Sequence, residues 1–449
     1  MNARPFLSCL PFVLFFISCS ITFENYENDP KLQENQNGRK VIDVAYYTPV
    51  YAKPNKATLK TTVVDPIPYS KAGKIITYKN YVLINKPQEG IHILDNTDPS
   101  APVNLAFFEL KGNIDMAIVD DRLYADMFSA LVVIDVSEME NPKLIDDFTV
   151  EDVFYYDPWW NFVPLEEAQD YDYVSSDPID HSKGIVVAWE LEIRQEEESK
   201  ARALYDQVYT LENTTEEIAL VTNATELTPV STAGSMARFL PIENYLYAIN
   251  SSDLLLFEID KEEKPNRWGK IGTNTWAETL YRLNDFLFVG SATGMLMYDV
   301  SEAGNPNFIN KIDHFRSCDP VVADLEYAYV TLRGGTNCFT ERNELQIIDI
   351  QNPKDLEVTS THLMFNPHGL AVHENYVIVC DGSAGIKVVD VSNKSKPSVV
   401  ETYPIEFAYD IILDFPKALV VGEKKLYQYD LSELPKLELK SESELEAQE

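Results

Sequence analysis

The sequence predicts an all-β protein, a β-propeller of four-stranded blades, and three observations carry that expectation. One phrase recurs along the chain: an apolar run, an aspartate, a short polar turn and then a proline. It reads GIHILDNTDP, LVVIDVSEMENP, GMLMYDVSEAGNP, LQIIDIQNP and GIKVVDVSNKSKP at successive places. Its aspartates, Asp95, Asp135, Asp260, Asp299, Asp349, Asp390 and Asp430, are separated by 40, 125, 39, 50, 41 and 40 residues. Between them lie short apolar runs bounded by Asn, Asp, Gly and Ser, without a helical period. A strand-built repeat near 40 residues is the mark of a propeller blade.

Each unit supplies four strands. In the sixth they are GLAVH, ENYVIVCDG, the Asp-bearing GIKVVD and the outer SVVETYPI. The aspartate has a mechanical task, because a short carboxylate at a strand end accepts hydrogen bonds from amides one or two residues on and closes a turn. The proline then starts the outer strand at an edge, where its missing N–H does no harm. Seven aspartates count seven blades. The 125-residue gap is long enough for an eighth around GIVVAWELEI, but that run passes straight into charge without the repeated phrase, so an insertion over about 151–233 is preferred. ATLKTTVVDPIPY, ahead of the first unit, reads as an outer strand that completes the last blade and closes the ring.

VVIDV, QIIDI and KVVDV resemble the LVIVD repeat of secreted and lipid-anchored bacterial β-propeller proteins. The resemblance covers roughly residues 57–436; it is closest over 318–390 and weakest over 150–233. It implies the propeller fold and a place in the cell envelope, and it brings no assigned activity with it.

The N-terminus agrees on compartment. MNARPFLSCLPFVLFFISCS carries Arg4, an apolar segment from Phe6 to Ile17 and then Cys19, the pattern of an export signal over 1–19. FISC resembles a bacterial lipobox, with Phe16 in place of the usual Leu, which makes Cys19 the expected lipidation site and the membrane a partner through that anchor. Residues 20–56 are polar and read as a tether, and 437–449 as an acidic disordered tail. With Cys19 lipidated, Cys318, Cys338 and Cys380 remain. Cys318 and Cys338 fall in loops of one repeat and are the disulfide candidates in an oxidising compartment, whereas Cys380, inside YVIVCDG, reads as a buried thiol.

Asp and Glu number 72 against 37 Lys and Arg, a net charge of −35. So acidic a chain repels phosphate backbones, which argues against nucleic acid as a partner. Two places stand out for function. Counted back from the second strand of each unit, Ile114, Ala237, Glu278, Asp319, His368 and Tyr409 mark the start of the first strand, the strand that lines a propeller's channel. Glu278, Asp319 and His368, with Tyr409 next, are therefore the candidate channel-mouth site. They suit a divalent metal or acid–base work, or else serve as structural or solvated channel residues. No cofactor is required by any motif. The second place is the aromatic and acidic insertion, where Tyr155, Tyr156, Trp159 and Trp160 are candidates for contact with a protein or glycan at the cell surface, or for a satellite core folded back on the propeller. Sequence thus points to a binding or scaffold module for a protein, glycan or ion. The alternative is a metal-dependent or acid–base enzyme with its site at the channel mouth.

Overall fold

The computed structural model describes residues 33–34, 40–52, 62–64, 73–145, 148–150, 153–154, 174–183, 185–197, 232–313, 320–334 and 342–444. The chain divides into two compact units. The smaller comprises Met1–Thr48, Pro164–Asp177 and Glu190–Leu211, and the larger comprises the remainder.

Eight sheets are present among the described residues, and seven of them contain the repeat. In each of the seven, four consecutive strands pair antiparallel in sequence order. Blade 1, for example, runs Ile75–Tyr78, Tyr81–Lys86, Gly90–Asp95 and Val103–Glu109, and blade 6 runs Leu370–His373, Tyr376–Cys380, Ile386–Asp390 and Ser398–Tyr403. The first strand of each blade touches the first strand of the next, and the one in blade 7 (Ala408–Asp414) touches that of blade 1. The ring is closed.

Seven apolar clusters fill the seven junctions between neighbouring blades. Blade 2 shows how one strand feeds two of them. Val132 and Ile134 of its third strand, Ala130–Asp135, pack toward blade 1, while Leu131 and Val133 pack toward Phe239, Leu246 and Phe257 of blade 3. A strand covered on both faces loses the alternation of a half-exposed strand, which is why the repeated phrase is apolar at consecutive positions. The junction between blades 7 and 1 is built the same way, with Ile412, Leu419 and Val421 against Ile75, Val82 and Leu94.

The recurring aspartate does what its chemistry suggests. Oδ1 of Asp95, Asp135, Asp299, Asp349, Asp390 and Asp430 accepts the amide of the second residue on, at 2.8–2.9 Å. Blade 3 departs from the rule. There Glu258 ends the third strand, and Asp260, two residues later, closes the turn by accepting from the amide of Glu262 at 2.7 Å. Two residues ahead of the strand end, six blades shift register against the outer strand, as between Val388 and Val389. Such a bulge adds twist, which suits a blade that must fan outward.

Three boundary expectations are corrected. Residues 437–449 are not wholly a tail, because Glu438–Glu444 is the outer strand of blade 7. An outer strand has one partner and faces water, so LKSESE can be charged and still pair, and Lys425 holds Glu442 and Glu444 at 3.0 and 3.1 Å. Blade 7 is thus complete on its own, and Thr62–Val64 pairs instead with Val103–Glu109, adding a strand to the outside of blade 1. The ring closes by packing, without a strand borrowed from the other end of the chain. Residues 20–56 are not all tether either. Lys40–Ala52 is a thirteen-residue strand that pairs parallel with Val174–Ser176 and also with Ile185–Glu197 of the insertion, and its apolar Val41, Val44, Tyr46 and Tyr47 are buried. In this eighth sheet Arg194 grips both oxygens of Asp177 at 2.7 and 2.8 Å and lies over the Tyr46 ring.

The turn aspartates generate a pH signature. Hydrogen bonds from the side chain and amide two residues on hold Asp95, Asp299, Asp390 and Asp430 below the usual carboxylate value. Their stabilising effect is complete above about pH 4 and is lost as the pH falls through the lowered values. Asp390→Ala is expected to cost about 0.5–1 kcal/mol at neutral pH, and Asp390→Asn, which keeps an acceptor, less than half of that. Urea unfolding of both variants at pH 7 and pH 3 tests this, and equal costs at the two pH values would contradict the account.

A charged cavity at the mouth of the ring

After the insertion the chain returns across the centre of the ring. Thr232–Ala233 pairs antiparallel with Ile75–Tyr78 of blade 1, and the backbone then turns through Gly234 and Ser235 before starting blade 3. Ser235 Oγ donates to Asp410 Oδ1 of blade 7 at 3.1 Å and accepts from the amide of Leu370 of blade 6 at 2.8 Å. Asp410 Oδ1 also accepts the amide of Ile411 at 2.9 Å, while Oδ2 has no hydrogen-bond partner among the described residues. Gly234 and Gly369 press against this carboxylate from two sides so closely that a Cβ on either would collide with it.

Asp115 does the matching work in blade 2. Oδ1 accepts the amide of Met116 at 2.7 Å, and Oδ2 accepts the amides of Arg238 and Phe239, fastening blade 2 to blade 3. Behind it, Asp126 Oδ1 accepts from Asn113, Ile114 and Asp115, each at 2.9 Å. Burial pushes Asp126 and Asp410 up to about 6 and raises Asp115 as well, opposed in each case by amide donors and nearby cations.

Above this floor lies a cavity of about 240 Å³ whose principal side chains are Lys74, Arg238, Trp276, Glu278, Arg333 and His368, drawn from blades 1, 3, 4, 5 and 6. Lys74 lines the cavity and is half-buried. Burial lowers its pKa, against the pull of Asp115, Asp410 and Glu278. No hydrogen bond or ion pair reaches its ammonium among the described residues. Arg333 Nη1 stands 2.6 Å from His368 Nδ1 and 3.1 Å from Nε2. The His368 ring meets Phe407 and Tyr409 edge-on, at 5.2 and 5.5 Å between centroids. Burial, reinforced by the Arg333 charge, lowers its pKa to about 3, so the ring is neutral at pH 7. Trp276, 51% exposed, stands at the rim.

The sequence expectation therefore divides. Glu278 and His368 do share one cavity, and Tyr409 packs on His368. Asp319, Cys318 and Cys338 lie outside the described residues, as do Cys19, Tyr155, Tyr156, Trp159 and Trp160. Among the described residues no three His, Cys, Asp or Glu side chains cluster to hold a metal ion. Arg333, a donor-only group, stands against the one acceptor nitrogen that a neutral His368 would offer a metal. Cys380 is a buried free thiol. Sequence reasoning missed Lys74, Asp115, Arg238 and Asp410, and one signal could have found them. Asp115, Arg238 and Asp410 each lie one residue past a counted start of the first strand, at Ile114, Ala237 and Tyr409, and Lys74 holds the same place in blade 1, where no start was counted. Arg333, at the far end of the second strand of blade 5, gave no such signal.

Residues 367–404 match the LVIVD repeat, the segment that contains His368 and the third-strand aspartate of blade 6. No curated protein sequence matches the chain. Among solved structures it is similar to the periplasmic gluconolactonase PpgL of Pseudomonas aeruginosa, at 10% identity and TM-score 0.50, over 84% of this chain and 96% of that one. It is also similar to BamB of Moraxella catarrhalis, at 9% identity and TM-score 0.41, over 84% and 95% of the two chains. At such identities the likeness is one of fold. The protein is a β-propeller carrying an LVIVD repeat.

The neutral His368 makes stability depend on pH in a definite direction. Its folded value lies below the 6.5 of a free histidine. Between those values the unfolded chain binds a proton that the folded chain refuses, so stability falls as the pH drops below about 6.5. His368→Gln removes this dependence. The stability advantage of the natural protein over the variant is expected to shrink by up to about 1.4 kcal/mol per pH unit between pH 6 and 4. Unfolding curves at pH 7, 5.5 and 4 check it; an advantage that does not change with pH would show that the ring carries its proton already.

Proposed function

We propose that the protein is an exported, lipid-anchored binding module of the bacterial cell envelope whose ligand, a small polar molecule, docks in the cavity at the mouth of the ring. The observation that carries this reading is the convergence of charged and polar side chains from five blades on one space at the centre of a rigid scaffold. Burying Lys74, Arg333 and His368 there works against folding, and a fold accepts such a cost where a ligand is to be held. A cavity of about 240 Å³ is below the roughly 300–1,000 Å³ of pockets that take drug-sized molecules, so the ligand is small. Export and anchoring rest on the N-terminal pattern ending at Cys19, and a protein or glycan partner at the cell surface rests on Tyr155, Tyr156, Trp159 and Trp160 of the insertion.

Two measurements test the proposal. Cys19→Ser is expected to abolish incorporation of labelled fatty acid and to release the protein from the membrane fraction; unchanged labelling would remove the anchor. For binding, the full-length chain is screened by thermal shift against small anionic, neutral and cationic molecules. At least one is expected to raise the melting temperature, and Met236→Trp, which adds bulk to the cavity lining, should erase that rise. A rise retained in Met236→Trp would move the ligand elsewhere, and no rise with any molecule would remove the binding reading.

A further inference from the structure

The charge of the cavity is opposite to that of the chain that builds it. The whole sequence carries −35, yet among the described residues the lining presents three basic side chains, Lys74, Arg238 and Arg333, to one carboxylate, Glu278. Asp115 and Asp410 are not among the lining residues, and three of their four carboxylate oxygens accept hydrogen bonds. Both oxygens of Asp115 accept backbone amides, and Asp410 Oδ1 accepts Ile411 N and Ser235 Oγ. Their charges oppose the lowering that burial imposes on the Lys74 pKa, without covering its ammonium by a hydrogen bond. The half-buried Lys74 ammonium has no hydrogen-bond acceptor among the described residues, and an anion entering the cavity would supply one.

We infer that the cavity binds a carboxylated monosaccharide, a hexuronate or a sugar of like charge, with its carboxylate among Lys74, Arg238 and Arg333 and its ring against Trp276. The inference rests on the binding reading above and narrows it to a ligand class. Guanidinium groups match a carboxylate through paired N–H donors, and the Lys74 ammonium adds a compact charge on the inner side. Glu278 is an acceptor suited to ring hydroxyls, which are donors. The Trp276 indole, half exposed at the rim, offers the electron-rich face to which polarised sugar C–H groups are drawn. Size agrees, since the cavity has room for one ring and not for a chain of them.

Calorimetric titration of the full-length chain with D-glucuronate, D-glucose and D-glucosamine tests the inference, because the three share a ring and differ in charge. Glucuronate is expected to bind, glucose at least tenfold more weakly and glucosamine not at all, with the glucuronate affinity falling as salt is raised. Lys74→Met and Arg333→Gln should each weaken glucuronate by about ten- to a hundredfold in protein that circular dichroism shows to be folded at the titration temperature. Trp276→Ala, at an exposed position that folding does not need, should weaken glucuronate and glucose alike. Failure of glucuronate to bind, equal binding of glucose, or unaltered glucuronate affinity in Lys74→Met and Arg333→Gln would overturn the inference. If the thermal-shift screen finds another ligand whose effect Met236→Trp erases, the binding module stands and only the sugar acid falls.

Discussion

The carboxylate of Asp410 is buried at the centre of the ring, and the arrangement of the mouth depends on what it holds. One oxygen gathers Ser235 and its own strand, Ser235 in turn takes the amide of Leu370, and the adjoining Thr232–Ala233 pairs with blade 1. Blades 1, 6 and 7 are thereby tied to the segment that leads into blade 3, while Asp115 ties blade 3 to blade 2. These bonds lie where the seven first strands converge, so a shift of one blade would break contacts to several others. Gly234 and Gly369 are the local condition for the arrangement, since only a residue without Cβ lets backbone come so near the carboxylate.

Outward from that centre, the structure is held by apolar packing between blades. The second and third strands are covered on both faces and contribute to two junctions each, and their burial supplies the main favourable term. The outer strands contribute backbone pairing and little buried area, so their sequences are free to be acidic, as Glu438–Glu444 is. The chain's net charge of −35 is tolerated because most of it lies where water screens it. The mouth reverses this arrangement. There burial moves the pKa values of Lys74, Arg333 and neutral His368 down and those of Asp126 and Asp410 up, and the opposing charges limit the cost. Breaking such a set by removing one member is more damaging than its net worth suggests, because a buried charge is then left without compensation.

The blades were legible in the chain because their determinants are local. Alternation of strand and turn, the aspartate two residues ahead of the amide it caps and the length of each unit all act within one repeat, as Asp95 to Thr97 and Asp390 to Ser392 show. Legibility ended where composition ceased to report structure. Glu438–Glu444 reads as a tail because an outer strand needs only backbone pairing, and Lys40–Ala52 reads as a tether because Val174–Ser176 and Ile185–Glu197, which pair along it, are more than a hundred residues away in sequence. Half of the candidate site was visible for the same reason. Glu278 and His368 follow from aligning repeats, whereas Arg333 reaches the cavity from the end of a second strand and Ser235 from a segment outside any repeat.

By itself, the sequence determined that the chain folds as strand-built repeats, where most of the blades begin and end, and how each third strand is capped, because these depend on interactions between residues a few positions apart. Only the tertiary structure decided that the ring closes by packing without a borrowed strand, that the chain crosses the centre at Thr232–Ser235, and that cations from blades 1, 3 and 5 meet in one cavity. Those features join residues up to about three hundred and fifty positions apart, and their energies come from burial and charge compensation, which exist only once the ring has closed.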